Sequence, residues 1–380
     1  MSKITKTIIW LIVAIVVIAG IWCWVSKKLT LVTEREPIKI GAILPLTGKV
    51  ANIGLNEQKG IMLAVEEINR KGGINGRKIE VVFEDSEGDP TKGITAIQKL
   101  INVDKIQVVI VSLTKVASAV RPVAEKNKIV MFGESTDTKL AINYEYVFRH
   151  FYSNAYNGRE LAKFAYISLR KNKAAILYLN TEAGIEGKDA FEEEFKKLGG
   201  IIVASEAFSD EETDFKVQLT KIKLANPEVV FLSGRGKTMS IIFNQFVQLG
   251  IDAIPLVQLQ CGEKSVLEAS KDVLEKLLVY SAEMDFNENS SVPIVRNFVN
   301  LYRNKYNESP TDWAIIGYDD MQILIKALES GARTSEEIKN RLKENREFNL
   351  VEGKVLFDKE GSADIPTTLF KIEKGVCSKI

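Results

Sequence analysis

The sequence predicts an α/β protein made of two doubly wound parallel-sheet lobes. Three observations carry that prediction. From Pro37 onward, short and nearly continuous β-branched apolar runs alternate with amphipathic helical segments, as strands buried on both faces of a parallel sheet do. The alternation breaks near residue 152 and then starts again. About 340 residues follow the first 36, more than one core of ordinary size holds and enough for two.

Taken in order, IKIGAILPL opens the first lobe as a strand. In GLNEQKGIMLAVEEINRKGG, Ile61, Leu63, Ala64, Val65 and Ile68 fall on one helical stripe, and Gly72-Gly73 stops the helix because glycine accepts the left-handed conformation. Asn75-Gly76 turns into the strand RKIEVVFED, and Asp89-Pro90 opens the helix DPTKGITAIQKLINVDK, each by ordinary turn and cap chemistry. QVVIVSL and KIVMFGES are the next strands, on either side of the helical KVASAVRPVAEKN. The second lobe repeats the pattern with strands AAILYLN, IIVASEAF, EVVFLSG and IPLVQL, separated by helices such as EGKDAFEEEFKKLGG and TDFKVQLTKIKLANP. Right-handed crossovers then wind each sheet on both faces. Beyond about residue 280 come long helices, SVPIVRNFVNLYRNKY and WAIIGYDDMQILIKALES, then TSEEIKNRLKEN, where Ser335 is the expected N-cap without a capping box. GKVLFDKEGSADIPTTLFKIEKG reads as a two-stranded hairpin.

The amino terminus stands apart. Thr7 to Val25 is a run of 19 residues without a charge, about 28 Å long as a helix and close to the hydrocarbon thickness of a bilayer. Trp22 and Trp24 sit where an interfacial aromatic belt would fall, and lysines flank both ends. No Ala-x-Ala-like cleavage site is visible, and Ile21-Trp22 precede Cys23 where lipoprotein processing needs small residues. The run reads as an uncleaved N-terminal transmembrane helix, with a cleaved signal peptide as the alternative. Residues 1–36 are then membrane anchor and tether.

Elsewhere the composition is that of a folded globular chain, 46% hydrophobic and 27% charged. A net charge of +1 gives no field that would draw nucleic acid. The single histidine, His150, argues against a His-based triad or metal cluster, and beside Arg149 it reads as structural. Of three cysteines, Cys261 and Cys377 could pair, and no spacing suggests zinc. The first strand leads to Gly48 and Gly54, not to a dinucleotide fingerprint. SGRGKT at 233–238 lacks the first glycine of a phosphate loop, because Phe231 stands there. No nucleophile elbow or His-Glu-x-x-His occurs, so an enzyme, a cofactor and a metal site are not expected. Asn289 begins a lone glycosylation sequon.

The run from IKIGAILPL through GLNEQKGIMLAVEEINRKGGINGRKIEVVFEDSEGDPTKG closely resembles the branched-chain amino-acid-binding family of periplasmic-type solute-binding proteins. PVAEKNKIV, DFKVQLTKI and GKVLFDKEG extend the likeness over about 38–375. The resemblance implies a type I periplasmic-binding-protein-like fold whose lobes exchange segments through a three-segment hinge. Lobe 1 would be 38–151 plus 282–353, and lobe 2 would be 152–281 plus 354–380. It also implies capture of a small molecule by closure of the lobes, delivery to the permease subunits of an ABC importer, and a location outside the cytoplasm on the cell membrane. A sensor or receptor ectodomain is the alternative.

Residue by residue, the resemblance puts Thr114 at the hydroxyl that holds the ligand carboxylate, with Ser135 and Thr136 at the next strand end. Trp313 falls at an aromatic that touches the ligand side chain. Other positions depart from the pattern. Ile53 replaces an aromatic of the first loop, Ala183 and Arg235 replace lobe-2 tyrosines, and Gln260 replaces the acid that pairs with an ammonium. Loss of that charge-assisted contact removes about 1.5–3 kcal/mol, roughly tenfold to a hundredfold in affinity. The expected ligand is therefore a small carboxylate, an amino acid by resemblance, with an organic anion as the competing choice.

Overall fold

The computed structural model describes residues 10, 13, 15–22, 35–209, 211–234, 236–258, 269–284, 286–374 and 376–380. The first part of the chain runs β1 (Ile38–Leu44), α1 (Ala51–Arg70), β2 (Ile79–Asp85), α2 (Pro90–Lys99), β3 (Val108–Ser112), α3 (Thr114–Lys126), β4 (Val130–Glu134) and β5 (Val147–Phe151). A second series follows with α4 (Asn154–Lys163), β6 (Lys173–Leu179), α5 (Glu182–Lys197), β7 (Ile201–Phe208), α6 (Lys216–Ala225), β8 (Val229–Ser233), α7 (Gly236–Gln248), β9 (Ile254–Val257), α8 (Lys271–Leu274) and β10 (Leu278–Met284). Last come α9 (Pro293–Tyr306), α10 (Asp312–Glu329), α11 (Ser335–Glu344), β11 (Glu347–Leu350), β12 (Gly353–Leu356), β13 (Ser362–Asp364), β14 (Thr367–Glu373) and β15 (Val376–Lys379).

These strands form two large sheets, one per lobe. The first has the order β2-β1-β3-β4-β5-β13 and is parallel throughout. The second has the order β7-β6-β8-β9-β10-β14-β15 and is parallel except that β14 runs against its neighbours β10 and β15. Each therefore has a switch point, β1/β3 in the first and β6/β8 in the second, where open α/β sheets hold ligands. Apolar residues cover both faces of each sheet, as the continuous runs require. In lobe 1, Ile40, Phe132 and Phe148 pack toward α1, α9 and α10, while Ile43, Val109 and Val111 pack toward α2 and α3. In lobe 2, Leu177 and Leu232 face Phe215 and Phe243, while Ile176 and Phe231 face Phe191 and Phe195.

The stretch Gly72–Pro90 is structural throughout. Gly72 and Gly73 take φ of 101° and 71°, and Asn75 and Gly76 take 53° and 76°, so the helix stop and the turn use the left-handed region as read. Asp85 accepts the N–H groups of Leu46 (2.9 Å) and Glu87 (2.8 Å) and so ties down the loop after β1. Asp89 caps α2, accepting from Lys92 N at 2.9 Å, with Pro90 at the first helical position.

α1 and α10 touch backbone to backbone. A Cβ on Gly60 would lie 1.9 Å from Ala314 O, and one on Gly317 would lie 2.5 Å from Glu57 O. Only glycine permits that approach, and it carries Glu57 of α1 into the same core as the Asp319-Asp320 pair of α10.

Four sequence readings are corrected or completed. β5 was missed because Arg149 and His150 interrupt its apolar run; both are nonetheless buried, since their polar atoms find partners. The carboxyl-terminal segment is not one hairpin. β12 pairs back with β11, β13 joins the first sheet beside β5, and β14 joins the second beside β10. The chain thus returns to the second sheet only at Thr367, past Pro366, and not at 354. Thr334, not Ser335, caps α11, and a full capping box joins it to Glu337. Cys377 is disulfide-bonded; Cys261 lies outside the described residues.

Within the anchor reading of Thr7–Val25, residues 10, 13 and 15–22 are helical and exposed. The rest of that run and residues 26–34 of the tether lie outside the described residues. Among the described residues, no helix is long and apolar enough to cross a membrane.

Candidate functional site

β3 and β4 deliver the expected hydroxyls to one place. β3 ends at Ser112, and Leu113 then takes φ 72° and ψ 129° to swing the chain into α3. For a bulky residue that is a strained conformation, of the kind that clusters at ligand clamps. Thr114 follows as the first residue of α3, which begins without a side-chain cap, so its first N–H groups are left for another acceptor. Thr114 Oγ1 accepts from Thr136 N (3.1 Å) and shares a hydrogen bond with Thr136 Oγ1 (3.1 Å). One hydroxyl proton of that pair is consumed internally and one remains to donate. Ser135, fully buried, accepts from Asp137 N at 3.1 Å and still has its own O–H to give.

Arg149 fixes this edge from behind. Its Nε donates to Ser135 O (2.7 Å). Nη1 donates to Ala363 O (3.1 Å) and to Asp364 Oδ1 (2.7 Å), and Nη2 to Tyr152 O (2.8 Å) and Phe151 O (3.3 Å). One guanidinium thereby joins the pocket strand to the chain leaving β5 and to the chain leaving β13, two of the three passages between the sheets. The third, after β10, is touched by Tyr152, whose hydroxyl lies 3.7 Å from Met284 Sδ and donates to Asp312 Oδ2 at 3.4 Å. Burial pushes the Asp312 carboxyl up, against the bond from Tyr152. Trp313 follows Asp312 and packs on Phe151, with ring centroids 5.6 Å apart.

Across the lobes, Thr138 Oγ1 donates to Glu186 Oε1 of α5 at 2.8 Å. Burial pushes the Glu186 carboxyl up, while the Thr138 bond and the charge of Arg149 pull it down.

The structure therefore brings Thr114, Ser135 and Thr136 together and puts Trp313 beside the passages. Ile53, in the first turn of α1, and Ala183, in the first turn of α5, are half-buried aliphatics that offer packing surface only. Arg235 and Gln260 lie outside the described residues. Sequence reasoning missed Arg149, Asp312 and Glu186. For Arg149 there was a signal, a charge inside an apolar strand run; the two carboxylates look like any others at helix starts. Two cavities lie away from this edge, one of about 280 Å³ beside Phe148, Arg346 and Phe357 and one of about 510 Å³ beside Arg121 and Tyr144.

A profile described as periplasmic binding protein matches residues 37–376. The chain belongs to the periplasmic binding protein family. Its resemblance to the branched-chain amino-acid-binding members is borne out by relatives. Leu/Ile/Val-binding protein homolog 3 of Brucella melitensis is 32% identical over 225 residues, 58% of this chain and 60% of that one. Leu/Ile/Val-binding protein homolog 2 of Brucella abortus is 25% identical over 348 residues, 90% and 92% of the two chains. Among solved structures, the branched-chain amino acid transporter substrate binding protein LivJ of Streptococcus pneumoniae, in complex with isoleucine, is 27% identical with a TM-score of 0.74, covering 90% of this chain and 99% of that one. Two α/β lobes of this kind are the type I architecture of the periplasmic binding protein family.

Proposed function

We propose that this chain captures a small amino acid between its lobes outside the cytoplasm and hands it to the permease of an ATP-driven importer. The observation that carries the reading is the meeting of Thr114, Ser135 and Thr136 at the carboxyl ends of β3 and β4, next to the β1/β3 switch point and beside the uncapped start of α3. Hydroxyl and backbone donors gathered there suit a carboxylate. Relatives named for leucine, isoleucine and valine support an amino acid as the ligand. Gln260 supplies no charge for the ammonium, but Asp312 and Glu186 stand at the lobe boundary and offer carboxylates in its place. That consideration favours an amino acid over a simple organic anion.

Closure follows if the ligand touches both lobes, because only contacts made in the closed form shift the equilibrium toward it. We assign residues 38–151 and 286–365 to lobe 1 and the remainder after 151 to lobe 2. The apolar run Thr7–Val25 would tether the protein to the membrane. Its described part exposes Trp10 and Trp22 by 73% and 77%, and a bilayer would cover such side chains.

The test uses the full chain in detergent. L-leucine, its des-amino carboxylate and its decarboxylated amine are compared by thermal shift and calorimetry. Leucine at a hundredfold excess over its Kd should stabilise by about 2.7 kcal/mol, the two analogues far less, and Thr114→Val should weaken leucine at least about tenfold. Equal binding of leucine and the des-amino carboxylate would show that the ammonium is not read. No shift with any branched-chain or other small amino acid would end the proposal.

A further inference from the structure

Directly behind the Thr114–Ser135 edge lies a set of ionisable side chains that the binding reading does not use. Glu57 comes from α1, Glu134 from the end of β4, His150 from β5, Asp319 and Asp320 from α10, and Glu352 from the turn between β11 and β12. Each is at most 2% exposed. His150 lies between two carboxylates, with Nδ1 2.6 Å from Asp320 Oδ1 and Nε2 in contact with Glu352. Asp319 accepts the N–H groups of Val351 (3.1 Å) and Glu352 (3.0 Å). Glu57 accepts from Ser112 Oγ at 2.8 Å. Glu134 meets the carboxyls of Glu57 and Asp320, and among the described residues neither of its oxygens has a donor.

Five carboxyls thus share one buried cluster with a single imidazole, which Asp320 and Glu352 contact directly. The nearby cations are committed elsewhere: Arg149 to Asp364 and to backbone carbonyls, and Lys326 of α10 to Asn349 O. Among the described residues, no three acidic, His or Cys groups are placed to hold a metal ion. Like charges packed this way cannot all ionise, and two carboxyls in contact bond only if one carries a proton. We propose that lobe 1 keeps shared protons on Glu57, Glu134 and their neighbours as part of its folded core, and that the pocket edge in front of them grips a carboxylate best while those protons are held. The second half of this proposal rests on the capture reading above.

The position supplies the coupling. Ser112, Glu134 and His150 lie within two residues of Thr114, Ser135 and Arg149 respectively, which form or brace the pocket edge. Ionisation of Glu134 would put a negative charge one residue behind the group that donates to the ligand. The electrostatics agree with the geometry. Burial, the largest effect, raises Glu57 from 4.5 to about 7. Burial, with the charges of Glu57 and Asp320, holds Glu134 well above the carboxylate range. Burial, with Glu352, does the same to Asp319. For His150, burial pushes down, but Glu352 and Asp320 together outweigh it and hold the imidazole well above 6.5. All four shifts are upward, so the folded state binds more protons than the unfolded one. Their stabilisation is full below the unfolded values and drains away as pH rises through the folded ones, Glu57's share being gone above about 7.

The full chain in detergent is melted from pH about 4, in the ordinary carboxylate range, to about 9, past the value near 7 to which Glu57 is raised, as wild type, Glu134→Gln and Glu57→Gln. Wild type should lose about 5 °C or more across the range. At least one neutral isostere should flatten that loss while melting cooperatively at acid pH. L-leucine should bind wild type about threefold to tenfold more weakly at the alkaline end, and Glu134→Gln with no such dependence. A wild-type melt that does not fall with pH, or a fall that both isosteres leave intact, overturns the proton-holding core. Leucine affinity that ignores pH in wild type overturns the coupling. If the melts behave as expected but leucine binds at no pH, the capture reading has failed and the proton-holding core stands.

Discussion

The two sheets share one order over their first five strands and differ in what stands at their carboxyl edges. In the first sheet, β3, β4 and β5 finish with Ser112, Glu134 and the His150-Phe151 pair, and the space behind them holds carboxyls from three further elements. In the second, β6, β8 and β9 finish with Leu179, Ser233 and Val257, backed by Phe208, Phe215 and Phe243. Topology decides where an edge lies and which loops meet there. Whether that edge responds to protons or only to packing volume is decided by a few side chains that the winding does not constrain.

Substitutions in the two lobes put that contrast to the test. The largest effect is expected in lobe 2. Phe191 is fully buried and stacked between Phe195 (5.4 Å) and Phe231 (4.6 Å). Phe191→Ala should cost about 3–5 kcal/mol, and denaturant melts at acid and neutral pH should return the same loss. In lobe 1, His150→Gln removes the cation between Asp320 and Glu352. The cost should be about 3 kcal/mol in mild acid, where the raised imidazole is charged, and should shrink as pH rises through its folded value. If the two losses depend on pH to the same degree, the contrast between the edges is broken. The smallest effect is a control outside both edges: Thr334→Ala removes the cap of α11 and should cost about 1 kcal/mol.

Much of this fold could be read from the order of residues. Apolar runs such as VVIVS and VVFLS are buried residue for residue, because a doubly covered strand leaves no choice of face. The Gly72–Pro90 stretch was legible for another reason: its turns and caps are local, and Asn75, Gly76 and Asp89 act within a few residues of themselves. What stayed hidden depends on partners distant in sequence. β5 looked too polar for a strand because the groups that satisfy Arg149 and His150 come from residues 135, 320, 352 and 364. β13 was misplaced because its three residues carry no pattern of their own. At the site, the hydroxyls of Thr114, Ser135 and Thr136 were found by position along the strands. Asp312 and Glu186 were not, since nothing local separates them from surface acids.

Arg149 has one further consequence. The same guanidinium grips the lip at Ser135 and two of the straps along which the chain changes sheets. Any swing of one half against the other must pull on the fork that shapes the mouth, so jaw and joint behave as one lever. A tighter bite would come with a stiffer swing, and a loosened joint would blunt the bite even if every residue facing the guest were left alone.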